Sequence, residues 1–143
     1  MKFLLTIALP IAFALANAQA AGSPASPYSP QYYACVKKAG APGFYDQSAS
    51  ASCDEAEVKF QKKRINAAYD KLSKMWSTDP DRLAKLNVAQ KAWVQWRNET
   101  YALLQEAGGS NGQVVYIVSS EFLLKSLVDQ ANLLESLVAA NGG

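Results

Sequence analysis

Hydrophobic residues recur at steps of three and four along most of this chain, a period that predicts helices. From Ser52 onward, Val58, Ile65, Tyr69, Leu72 and Met75 or Trp76 fall on one face of a helix ending near Trp76. Ser52-x-x-Glu55 fits a capping box, and Asp54, Glu55 and Glu57 suit the positive end of a helix that starts there. Lys59, Lys62, Lys63 and Arg64 lie between the apolar positions and read as a solvated face. In STDPDR, Asp79 can cap a second helix, and Pro80 suits its first position, where the missing N–H costs nothing. Leu83, Leu86, Ala89, Trp93, Trp96, Thr100 and Leu103 carry its stripe towards Ala107, with Gly108 as the stop. At 1.5 Å per residue such a helix of about 29 positions spans about 43 Å. GGSNG (108–112) reads as a turn. A last helix, from about Gln113 to Ala139, keeps Ile117, Leu124, Leu127, Ala131, Leu134 and Val138 in step, although the β-branched stretch 114–118 could begin as extended chain.

Upstream the pattern is weaker. Gln31 to Ala39 fits a short helix carrying Cys35, and GAPGFYDQSASAS (40–52) reads as loop from its Gly, Pro and Ser content. AGSPASPYSP (21–30) reads as a flexible leader with no packed role. Residues 1–20 carry Lys2 just after the first residue, continue in an apolar run from Phe3 to Leu15 and end in Ala18-Gln19-Ala20, the layout of a secretory signal peptide. The apolar run is shorter than the roughly 20 residues a membrane span needs, so no membrane insertion is expected. The organisation expected is a signal peptide (1–20), a leader (21–30) and a single helical domain (31–143), periplasmic or secreted after cleavage near Ala20. Its fold class is all-α: three main helices plus a short N-terminal one.

Composition narrows the chemistry. Fourteen basic residues against twelve acidic ones give a net charge of +2, and no histidine occurs. So small a balance gives no strong attraction to nucleic acid or membrane. Without histidine there is no Ser-His-Asp or Cys-His arrangement and no histidine-ligated zinc. No Gly-rich phosphate loop is present, and the acid pairs Glu55/Glu57 and Asp79/Asp81 stand two apart, where helical side chains do not face each other. No enzyme activity, metal or cofactor is expected; the sequence argues for binding. In an exported chain Cys35 and Cys53 are expected to form a disulfide, closing a loop worth about 3 kcal/mol.

The stretch AQKAWVQWRNETY (89–101) gathers Trp93, Trp96, Arg97 and Tyr101. Spacing places both tryptophans on the core stripe, where truncating Trp93 would cost about 3–5 kcal/mol. Arg97 is placed to lie over the Trp93 indole, or to pair with a carboxylate on a neighbouring helix. A sugar platform built on Trp76, Trp93 or Trp96 would need exposed rings.

The same stretch resembles the A-Q-R-A-W-I-x-F-R-D signature of the LprI-like lysozyme-inhibitor family, matched at Ala89, Gln90, Ala92, Trp93 and Arg97, with Lys91, Val94, Trp96 and Asn98 as near substitutions. INAAYDKL (65–72) resembles the family's L-N-x-x-Y-x-x-L at Asn66, Tyr69 and Leu72. Cys53, Glu57 and the glycine turn Gly108-Gly109-Ser110 also fall at fitting positions. The family often carries a second cysteine pair; Tyr101 stands at the first of those positions, no cysteine follows Cys53, and the usual T-x-x-R of the last helix is missing. The resemblance implies a periplasmic helical protein that binds a protein partner, lysozyme or a related muramidase. Occluding a cleft that holds two carboxyl groups calls for a protruding loop or a cation. Lys91, Arg97 and the turn Gly108, Gly109, Ser110 and Asn111 are the candidate partner-binding residues. An immunity-type or adaptor protein for another envelope partner is the alternative. The oligomeric state is left open.

Overall fold

A computed structural model describes residues 28–40, 47–107 and 112–142. The expected signal peptide, the leader up to residue 27, the middle of the first loop (41–46) and the turn residues 108–111 lie outside the described residues. Four helices follow in order: α1 (Pro30–Ala39), α2 (Gln47–Met75), α3 (Pro80–Ala107) and α4 (Gly112–Ala140). The fold is all-α, with α4 packed against both α2 and α3 and α1 laid on α2.

Local chemistry explains several boundaries. Asp79 accepts the Arg82 backbone N–H at 3.0 Å, and Pro80 opens α3, as its missing N–H allows. At the preceding turn the Arg82 guanidinium lies 5.4 Å from the Trp76 ring centroid. Ser29 caps α1: its hydroxyl accepts the Tyr32 N–H at 3.1 Å, and Pro30 follows as the first helical residue. Cys35 and Cys53 are joined, with their Cα atoms 5.7 Å apart, which staples α1 to α2. Free-thiol titration of the oxidised protein is expected to find none. Reduction should lower stability by about 3 kcal/mol, the loop-closure value, seen as a fall in the urea midpoint.

The core runs through the half of the bundle away from α1. Ile65, Ala68 and Leu72 of α2, Leu86 of α3, and Leu127, Ala131, Leu134 and Val138 of α4 form one buried cluster. Val58, Tyr69, Met75, Trp76, Leu83 and Trp93 pack on it part-buried. Polar ties cross the same interfaces. Arg64 grips Glu135 with two bonds, Nε to Oε1 at 2.9 Å and a terminal nitrogen to Oε2 at 2.5 Å, and also reaches Asn132. Gln105 donates to the Ser119 hydroxyl at 2.8 Å between α3 and α4.

The structure departs from the sequence pattern at four places. Helix α2 starts at Gln47, not Ser52; Ala49 and Ala51 favour helix, and the Ser52 hydroxyl turns back to the Ser48 carbonyl at 3.1 Å instead of capping. Ser29, assigned to an unpacked leader, is buried because it both caps α1 and bonds to α2. Residues 114–118 are helical from the start of α4, so tertiary context overrides their β-branched preference. On α3, Ala89, Trp96 and Leu103 are exposed although they belong to the apolar stripe, as is Ile117 on α4. The stripe of α3 is wider than the surface α4 covers.

Candidate functional site

Helices α2 and α3 place Asn66, Tyr69, Asn87, Gln90 and Lys91 around one open groove of about 450 Å³. Asn66 and Tyr69 are three apart on α2, and Asn87, Gln90 and Lys91 are three or four apart on α3, so each set shares a helix face. The lining is almost wholly amide, phenol and ammonium. The Tyr69 hydroxyl donates to the Asn87 side-chain oxygen, which orients both groups across the α2–α3 seam. Gln90 is oriented from behind, its side-chain oxygen accepting from the Gln130 amide of α4. Lys91 is exposed and has no ion-pair partner among the described residues.

Arg97 is a different kind of residue. Its guanidinium lies 4.8 Å from the Trp93 ring centroid, and Nε and a terminal nitrogen both donate to the Asn98 side-chain oxygen, at 3.1 and 2.7 Å. Partial burial pulls its pKa below the ordinary arginine value. Its ring contact is the stacked arrangement rather than the carboxylate pair. The head group is therefore already engaged on its own helix, while the Lys91 ammonium is free.

The structure thus brings Asn66, Tyr69, Gln90 and Lys91 together, sends Leu72 into the core and leaves Ala89 exposed. Gly108, Gly109, Ser110 and Asn111 lie outside the described residues. The two tryptophans separate. Trp93 packs on the core under Arg97, whereas Trp96 is 52 % exposed and touches Phe122 edge-on at 5.4 Å. Trp93→Ala is accordingly expected to cost about 2–3 kcal/mol, less than a wholly buried indole. Trp96→Ala is expected to cost below about 1 kcal/mol. Chemical denaturation of the two variants measures the contrast, and equal losses would contradict it.

Two residues that orient the side chains of the groove escaped the sequence. Asn87 stands three before Gln90, so helical spacing could have flagged it. Gln130 lies forty residues from Gln90 and carries no local signal. Among the described residues there is no cluster of side chains fit to hold a metal ion, and no helix is long and apolar enough to cross a membrane.

A family model described as lysozyme inhibitor LprI matches residues 38–134, which contain the whole groove. No curated protein and no solved structure matches the chain.

Proposed function

Because the chain belongs to the LprI family, we propose that it is an exported inhibitor of lysozyme or a related peptidoglycan-cleaving muramidase, acting through the face that carries Lys91. The family is one of binding proteins rather than enzymes, its members are typically periplasmic or secreted, and it points to a protein partner. The family match over residues 38–134 is the observation that carries this reading.

The groove supports it chemically. Muramidases of this kind work with two carboxyl groups in a cleft. An inhibitor that enters such a cleft must present donors to them, because unanswered carboxylates resist being buried. Lys91 supplies an unpaired ammonium, and the amides of Asn66 and Gln90 stand beside it. Arg97, engaged with Trp93 and Asn98, is not among the free donors.

The test is the rate at which lysozymes of several classes clear a cell-wall suspension with and without the mature protein. The expected result is dose-dependent slowing, with Lys91→Glu weakening inhibition at least about tenfold at unchanged thermal stability. No slowing at micromolar excess across all classes would overturn the reading. Retention of one other envelope protein in that case would favour the immunity-type or adaptor alternative.

A further inference from the structure

Away from the groove, a second cavity opens among the described residues towards the end of the bundle that carries α1. Between the first halves of α2 and α4, with α3 closing one side, lies a cavity of about 360 Å³. Its apolar wall is Ala51, Val58, Leu123 and Leu124. Tyr101 of α3 and Tyr116 of α4 add aromatic rings to the lining. The size lies in the range of small-ligand sites.

The charged groups around this cavity are ordered along α2. Asp54 and Glu55 stand at one end, Lys59 and Lys62 further on. At 1.5 Å per residue the acidic and basic positions are about 6–12 Å apart. Asp54 is held in place by two phenols, accepting from Tyr32 at 3.1 Å and from Tyr116 at 2.9 Å. Glu55, Lys59 and Lys62 have no ion-pair partner among the described residues, although Glu55 and Lys59 are spaced to pair with each other. The Tyr101 and Ser120 hydroxyls, also on the wall, make no hydrogen bond among the described residues.

A simple anion would meet the lysines but also confront Asp54 and Glu55. A simple cation would meet the reverse. A ligand with both charges, separated by a comparable length and carrying apolar bulk between them, meets the lysines and the carboxylates together. We propose that this cavity binds a short zwitterionic peptide of two or three residues. Extended chain covers about 3.3–3.6 Å per residue, so the termini of such a peptide match the spacing of the two charge pairs. Its ammonium sits at Asp54 and Glu55 with the tyrosine rings beside it, and its carboxylate sits at Lys59 and Lys62. An apolar side chain lies over Val58, Leu123 and Leu124, and the free hydroxyls of Tyr101 and Ser120 meet the peptide amide.

The site does not depend on lysozyme inhibition, and its test reads binding directly. Titration calorimetry of the mature protein would use Ala-Leu-Ala with free termini, the N-acetylated form and the C-amidated form. The expected result is sub-millimolar binding of the free peptide and a loss of about tenfold on blocking either terminus. Lys59→Glu with Lys62→Glu should abolish binding without moving the melting temperature, since both side chains are exposed, whereas Lys74→Glu should leave it intact. Amide NMR shifts should map to residues 54–62 and 116–124. Absence of binding up to about 10 mM, capped peptides binding as well as free ones, or shifts confined to other residues would each overturn the proposal.

Discussion

Leu127→Ala is expected to destabilise the protein by about 3–5 kcal/mol. Leu127 has no exposed surface and sits where α4 meets both of its main partners, packed in one cluster with Ile65, Ala68, Leu72 and Leu86. Truncation removes three carbons from that junction, a transfer loss of about 2.4 kcal/mol at about 0.8 per methylene. The remainder comes from the void, because Leu72 on α2 and Ala131 on α4 are held by their own helices and cannot close in far. Alanine is an equal or better helix former than leucine, so no part of the loss belongs to the backbone of α4. Leu133→Ala is the matched control: the same substitution on the same helix, at a side chain 54 % exposed, and expected to change stability by less than about 0.5 kcal/mol. Urea unfolding separates the two, with a lower midpoint and unchanged slope for Leu127→Ala. Equal effects at both positions would mean that α4 does not present this face to α2 and α3.

The contrast between Leu127 and Trp96 shows how far hydrophobic period reaches. Both lie on helical stripes in the sequence, yet one is sealed and the other half open. Period states that residues share a face; it does not state how wide a neighbouring helix covers that face. For α4, sandwiched against two helices, five of the six expected positions, Leu124, Leu127, Ala131, Leu134 and Val138, are buried, and Ile117 near its start is exposed. For α3, which leans on α4, Leu86 is buried and Ala89, Trp96 and Leu103 are not. The disulfide was legible because compartment and cysteine count leave few alternatives. The groove was only half legible. Asn66, Tyr69 and Gln90 stood out through family resemblance, and Lys91 through its charge, but their convergence depends on the α2–α3 seam, a tertiary fact. The start of α2 misled because a capping motif competes with helix-favouring alanines upstream, and five more residues of helix won.

That longer helix changes the meaning of Glu57, whose replacement by alanine is the other large expected effect, about 3–5 kcal/mol. With α2 starting at Gln47, Glu57 lies well past the first turn, where the helix-end charge no longer acts. It is only 2 % exposed, and its carboxylate accepts three hydrogen bonds: the Ser29 N–H at 3.0 Å, the Ser29 hydroxyl at 2.5 Å and the Gln61 amide at 2.6 Å. Gln61, itself wholly buried, accepts from Arg64 at 2.7 Å, and Arg64 holds Glu135. One hydrogen-bonded line therefore runs from the cap of α1 through α2 to α4. Alanine at position 57 leaves three donors without an acceptor, each costing about 1–3 kcal/mol if it stays dry. Water entry and release of Ser29 recover part of that sum, which gives the lower total. Glu57→Gln keeps the shape but sets one amide N–H against donors, so it should lose about 1–2 kcal/mol. The disulfide keeps α1 near α2 in either variant, so reduction should expose the damage. Amide exchange across residues 30–39 is expected to become fast in reduced Glu57→Ala while α4 stays protected. If instead Glu57→Ala unfolds within about 0.5 kcal/mol of the parent and α1 exchanges no faster after reduction, the buried carboxylate is not what docks α1.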